Sequence, residues 1–365
     1  MVKLLLYFDI KLICSEFIMS DQKKTPNPNS NLIIIDRESN VPLFGLDFLG
    51  VLDRATNVLE VKPITICNLH CKYCFVSAGD YDQNFSIEKD YLVEWIKKAI
   101  GLKNNDKIEI HLAAYGEVLL YKELIELISD LRKIPKIKTI SMQTNGLLLN
   151  KKNINELEKA GLDRFNISLN SMDEEECADY CGVKKYNLEH LLQVFDLVLQ
   201  SKIELLIAPV WFKGINDKGV LDVVKYVKSQ EDNGYYWPKL RMGIQNYLTY
   251  RTGRKIKKAR MRDFSYFYKL LKNMEKEYKL KLKLGPRDFD IHKTTAIFPP
   301  VRLDDKKNVK IIMKGRWKNE YIATFEDNWA VKVLSKEKIP LEKKIKVKFI
   351  KSSLRGNLLT AIPTK

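Results

Sequence analysis

Short apolar runs rich in Val, Ile and Leu read as strands at Val61–Ile66, Lys107–Ala113, Thr139–Gln143, Arg164–Leu169, Leu205–Trp211 and Lys239–Ile244. Between them the apolar positions fall at helical spacing, as at Leu92, Ile96 and Ile100. They predict amphipathic helices over Ile87–Ile100, Lys122–Lys133, Asn153–Ala160, Leu188–Ser201 and Lys218–Gln230. Strands alternating with helices imply an α/β fold with a parallel sheet and the helices outside. Right-handed crossovers would curl six such units into a partial (β/α)6 barrel. Leu32–Asp36 and Leu46–Leu52 read as short strands ahead of it.

From about Ile297 the period changes. Five short strands are expected at Val309–Met313, Tyr321–Phe325, Ala330–Leu334, Ile345–Ile350 and Leu358–Ile362, separated by turns such as Lys314-Gly315 and Arg355-Gly356. Five strands in so short a span suggest a small all-β barrel of OB type. The expected organisation is therefore a tail over 1–30, a barrel domain with a basic extension over 31–296, and a terminal β-barrel over 297–365. Met1–Ile18 has apolar patches broken by Asp9, Lys11 and Glu16, and lacks the compact apolar core of a secretory signal. The polar stretch Ser20–Asn31 reads as disordered, so either Met19 is the start or the first thirty residues form a loose tail.

The net charge is +17, and its placement matters more than its size. Residues 251–365 carry 32 Lys and Arg against 12 Asp and Glu, whereas the preceding 250 residues are slightly acidic. Such asymmetry points to a polyanion or membrane partner for the C-terminal third, or to a lysine-rich solvated surface. The abundance of Lys, Glu and Ile hints at a thermophile. No apolar run reaches the ~18 residues of a membrane span. Six Cys, three of them clustered, fit a reducing cytoplasm better than a disulfide scaffold.

The clustered thiols are Cys67, Cys71 and Cys74, in a C-x3-C-x2-C spacing directly after the first strand of the expected barrel. A loop there can turn all three sulfurs toward one point. Thiolates select zinc or an iron–sulfur cluster. Structural zinc wants four ligands, and no second C-x2-C lies nearby. Three Cys on a four-iron cluster leave one iron open. This motif, with the aromatic Tyr73 before its last Cys, resembles the signature of the radical S-adenosylmethionine (SAM) superfamily, here of an archaeal-type Fe–S oxidoreductase. The resemblance implies a [4Fe-4S] cluster held by the three Cys, with SAM chelated at the open iron. It implies cleavage of SAM to methionine and a 5′-deoxyadenosyl radical, which abstracts a substrate hydrogen.

Further motifs follow in order. Ala114-Tyr115-Gly116-Glu117-Val118 is similar to the superfamily's Gly-Gly-Glu-Pro segment at Gly116 and Glu117, which implies contact with the SAM amino group. Thr144-Asn145-Gly146 matches a frequent Thr-Asn-Gly, although Asn-Gly is also a generic turn signal. Asn166, Ser168 and Asn170 alternate along one strand face. By resemblance Ser168 and Asn170 face the SAM ribose and carboxylate, and Tyr73 joins the cofactor pocket. His111 reads as a hydrogen-bonded interior residue. Ser171 reads as a helix cap. Cys177 and Cys181 share a helix face, as a structural pair rather than ligands to a second cluster.

The segment Arg251–Arg262 holds seven basic residues in twelve and no acid: Arg251, Arg254, Lys255, Lys257, Lys258, Arg260 and Arg262. Tyr247 and Tyr250 precede it, and Phe264, Tyr266, Phe267 and Tyr268 follow. Basic charge interleaved with aromatics suits phosphates and stacked bases. The terminal barrel resembles a TRAM domain, an RNA-binding appendage of tRNA-modifying enzymes. Together these imply a radical SAM enzyme that modifies RNA, a tRNA above all, and draws electrons from a donor such as ferredoxin or flavodoxin, with no membrane partner. A peptide or small-molecule substrate, and a non-catalytic zinc and RNA-binding protein, are the alternatives. No Cys-bearing N-terminal domain precedes the motif and no Cys follows Cys181, so methylthiolation and a C-terminal methyl-carrying Cys are not expected.

Overall fold

The computed structural model describes residues 32–105, 107–250, 252–326, 328–352 and 356–364. The expectations for residues 1–30, with Met19 and Cys14, and for Arg251, fall outside the described residues. In chain order the elements are β1 (Leu32–Ile35), β2 (Gly50–Asp53), β3 (Val58–Lys62), β4 (Asn84–Ile87), α1 (Lys89–Leu102), β5 (Ile108–Leu112), α2 (Leu124–Arg132), β6 (Ile137–Thr144) and α3 (Lys151–Ala160). There follow β7 (Arg164–Ile167), α4 (Glu174–Cys181), α5 (Leu188–Gln200), β8 (Glu204–Ile207), β9 (Val210–Trp211), α6 (Asp217–Asp232), β10 (Leu240–Met242), β11 (Gln245–Asn246) and α7 (Phe264–Tyr278). The last strands are β12 (Lys306–Lys314), β13 (Glu320–Phe325), β14 (Trp329–Leu334), β15 (Lys344–Ser352) and β16 (Leu359–Pro363).

Three departures from expectation have local causes. The strand expected at Val61–Ile66 lies earlier, at β3, because Pro63 has no N–H to continue the ladder. The strand expected through Trp211 divides into β8 and β9 at Pro209 for the same reason. The helix expected from Ile87 begins at Lys89, because Glu88 caps the Asp90 and Tyr91 amides, and Ile87 instead closes β4, which pairs in parallel with β1, Leu32 opposite Asn84.

By internal packing the described residues form two compact units, each assembled from separate stretches. Residues 67–79 and 111–284 make one; residues 32–66, 80–110 and 285–364 make the other. In the first unit β6, β7, β8 and β10 are successive parallel neighbours, with Ser141 opposite Arg164, Arg164 opposite Glu204, and Leu205 opposite Leu240. Each is joined to the next through helix, as the alternating pattern requires. Met142, Phe165, Ile167, Leu205 and Ile207 are fully buried on these strands, and α5 buries Leu191, Val194, Phe195 and Val198.

In the other unit β3 lies between β2 and β5, and five strands close a barrel in the order β12-β13-β14-β16-β15. β14 and β16 are parallel, and β12 pairs antiparallel with both β13 and β15. This is the strand order of an OB-type barrel. Two buried charge groups sit in the unit. Lys103 Nζ donates to Asp53 Oδ1 at 2.6 Å with both side chains wholly buried. Arg316 pairs with Glu320 at 3.2 Å, while Lys332 reaches Asp47 at 2.7 Å. Lys332 and Arg316 hold the Asp47 carboxyl well below the usual range against the opposing effect of burial.

Removing one partner of a buried pair leaves an uncompensated charge. Lys103→Met should therefore lower stability by about 3 kcal/mol, the low end because the Ile297 and Ala55 amides still donate to Asp53. The shift in urea midpoint at unchanged slope measures it; an unchanged midpoint contradicts it.

Candidate active site

The cysteine loop has no regular structure of its own, so its backbone groups need partners from elsewhere. The end of α4 supplies two. His70 N–H donates to Cys181 O at 3.1 Å and Lys72 N–H to Tyr180 O at 2.8 Å, with Lys72 also paired to Asp179. α4 stops there because Gly182 takes a left-handed turn, φ +66°. A Cβ at Gly182 would stand 2.2 Å from His70 O, so glycine is required twice over. The helix begins on Asp173, which caps the Glu176 amide. Ser171 is therefore not the cap: its hydroxyl donates to Glu176 at 2.6 Å.

Arg254 holds the loop from the other side. Its Nε donates to Cys71 O at 2.8 Å, its Nη2 to Ala78 O at 2.9 Å, and its amide to Cys74 O at 2.9 Å. Ser77 Oγ donates to Thr252 O at 2.7 Å, and a Cβ at Gly253 would stand 2.6 Å from Phe75 O. From the sequence Arg254 is a phosphate contact; in the structure it is turned inward, because the fork matches two loop carbonyls. Lys255, Lys257, Lys258 and Arg260 stay exposed, while Ile256 and Ala259 pack on Tyr180, Phe212 and Tyr247.

Burial raises all three thiols, Cys67 to about 12. A hydrogen bond to Cys181, then burial, pushes Cys71 well up, and burial raises Cys74 while the Arg254 guanidinium pulls both back. Among the described residues no three His, Cys, Asp or Glu form a group that could hold a single metal ion, while Cys71 and Cys74 lie near enough to Cys67 to act on its thiol. In a four-iron cluster each Cys takes a different iron, so the sulfurs stand apart. Three soft donors on one loop, with a guanidinium beside two of them to offset cluster charge, fit that group.

The other sequence-chosen residues lie in the same unit. Glu117 follows the turn at Gly116 and its buried carboxylate accepts from Thr144 Oγ1 at 2.6 Å, Asn145 N at 2.9 Å and Leu119 N at 3.1 Å. Burial raises its pKa and these three bonds oppose the rise. Three of roughly four lone-pair positions are thus taken, and Glu117 braces the Thr144-Asn145 turn. Asn145 in turn donates to Asn68 Oδ1 at 2.8 Å, next to Cys67. Gly146 has φ +78°, and a Cβ there would stand 2.7 Å from Leu191. Ser168 Oγ accepts from Gln143 at 3.2 Å. Asn170 accepts from Val210 N at 2.8 Å. His111 Nδ1 lies 2.8 Å from Ser141 Oγ, as an interior histidine should.

Tyr73 packs on Phe212 at 5.0 Å between ring centres. Burial, then the neighbouring Cys71 and Cys181, raises its hydroxyl well above the usual range. Phe75 is half exposed beside Tyr115 and Tyr250, at 6.3 and 5.5 Å. Cys177 Sγ donates to Ser171 O at 3.2 Å, whereas the free thiol of Cys181 neighbours that of Cys71. Asn216 was missed: it donates to Asn170 O at 3.1 Å and Val210 O at 3.0 Å, tying the strand ends together. Only its place ahead of a helix hinted at it.

A model of the radical SAM superfamily matches residues 61–227, which contain the cysteine loop and the braced turn. The chain belongs to the radical SAM superfamily. It is an enzyme of that superfamily, whose members use a [4Fe-4S] cluster and SAM. An uncharacterized protein of Methanocaldococcus jannaschii is 33% identical over 344 residues, 88% of this chain and 78% of that one. The GTP 3′,8-cyclase of Aquifex aeolicus is 30% identical over 186 residues, half of this chain, and the chain spans 56% of the cyclase. Streptococcus suis SuiB, in a crystal structure with S-adenosylmethionine, is 16% identical with a TM-score of 0.49, over 68% of this chain and 52% of SuiB. Among the described residues no helix of this radical SAM enzyme is long and apolar enough to cross a membrane.

Two substitutions probe the braces. Glu117→Ala leaves buried amides without an acceptor and should lower stability by about 3 kcal/mol, measured by urea unfolding of the apoprotein. Arg254→Ala should reduce the iron retained per chain after anaerobic gel filtration to half or less. Full retention would mean that the loop keeps its form without the guanidinium.

Proposed function

We propose that this radical SAM enzyme modifies RNA, a tRNA above all, with Cys67, Cys71 and Cys74 as cluster ligands. When bound, the cluster supplies one electron that cleaves SAM to methionine and the 5′-deoxyadenosyl radical. The protein's part is positioning and exclusion of water. Arg254 and the end of α4 hold the cysteine loop. Gly116, Thr144, Asn145, Ser168, Asn170 and Tyr73 would line the SAM pocket, with Glu117 acting through the turn it braces. Ferredoxin or flavodoxin would supply the electron, in the cytoplasm.

One observation carries the RNA reading. The exposed Lys255, Lys257, Lys258 and Arg260 lie on a segment anchored to the cysteine loop by Arg254, and the exposed ring of Phe75 stands next to Cys74 with Tyr250 against it. Cations and stacking rings side by side suit phosphate and base. The OB order of the terminal strands and its resemblance to a TRAM domain add support. A purine nucleotide is the second reading, because the Aquifex aeolicus relative is named for action on GTP.

Anaerobic reconstitution should give iron near four per chain and SAM cleavage to 5′-deoxyadenosine, both lost in Cys71→Ala. Chromatography of tRNA nucleosides from a deletion strain and its parent should then show one modified nucleoside missing. Identical nucleoside profiles, with GTP consumed by the purified enzyme, would turn the assignment to the nucleotide.

A further inference from the structure

On an OB barrel the second and third strands commonly form the oligonucleotide face. Here those strands are β13 and β14, and none of their residues is exposed. A stretch of the same unit lies over them. Phe44 O accepts from Ala330 N at 2.7 Å, Asp47 pairs with Lys332 at 2.7 Å, and Phe44 meets the Trp329 ring at 5.7 Å. A Cβ at Gly45 would stand 1.8 Å from Ala330 O, so the approach is backbone to backbone. That face is closed to a ligand.

The open face is elsewhere, on β12 and β15. Their register sets Lys306 opposite Lys348, Asn308 opposite Lys346, and Lys310 opposite Lys344. Residues directly opposite share a face, and the intervening Val309 and Val347 point into the core. Five lysines and one asparagine thus occupy six consecutive outward positions on two neighbouring strands. Like charges directly opposite destabilise a sheet. Carboxylates relieve this only in part: Glu342 pairs with Lys310, and Asp304 with Lys348 at 2.6 Å. Lys306, Lys344 and Lys346 have no carboxylate partner among the described residues, and all three are exposed.

We infer that this lysine ladder is a docking surface for the sugar–phosphate backbone of RNA, replacing the closed β13–β14 face. Its rungs lie about 6.8 Å apart along each strand, so they offer a regular row of cations to a regular row of phosphates. The ladder carries no aromatic ring to stack a base and no apolar side chain to enter a bilayer. It therefore positions RNA without reading sequence. This deepens the RNA reading above and rests on it.

The test uses the full-length reconstituted enzyme, a tRNA transcript, and the variant K306A/K344A/K346A. Binding of the parent should weaken steeply with salt. The variant should bind at least tenfold more weakly at physiological salt, with the slope of log K against log salt reduced by about two to three. Its iron content and SAM cleavage should be unchanged, and its melting temperature unchanged or raised. A variant that binds tRNA like the parent overturns the ladder and leaves the RNA reading standing. A parent with no salt-dependent tRNA binding overturns both. Preference of the parent for anionic phosphatidylserine vesicles over tRNA, or a fall in the variant's melting temperature, also overturns the assignment.

Discussion

Three cysteines in eight residues give a loop its chemistry but leave its shape undetermined, since the loop makes few backbone bonds of its own. The shape comes from what grips it: the carbonyl end of α4 at His70 and Lys72, and the guanidinium of Arg254 at Cys71 and Ala78. Each grip gives a partner to backbone groups of a loop that is only partly buried, at about 0.5–1.5 kcal/mol apiece. The left-handed Gly182 lets the helix end close enough to donate its last carbonyls to the loop. Arg254 also biases two thiols toward the ionised form that a cluster needs.

The same arrangement explains which parts were legible in the sequence. Helices and strands were, because their apolar stripes are local and periodic; α5 and all five barrel strands fall within a few residues of expectation. The spacing of Cys67, Cys71 and Cys74 was legible because thiol chemistry is specific. Arg254 was not, since its basic neighbours make it look like one more exposed cation, and only the tertiary approach of its segment to Cys71 separates it from them. Cys181 was read as half of a helix pair for a similar reason. Its distance from Cys71 along the chain hides a contact made by the helix end.

Glu117 is intermediate. Its motif was visible, yet its side chain serves the Thr144-Asn145 turn through three bonds. A short motif fixes which loop matters before it fixes what each atom does.

The segment around Phe44 and Gly45 lies far ahead of the barrel in sequence but covers its second and third strands. The terminal strands are therefore not a portable module. Cut free at residue 297, they would bare Trp329 and its neighbours to solvent and would stick to one another rather than fold. Recombination could transplant this barrel to another enzyme only together with the residues that lead into the sheet.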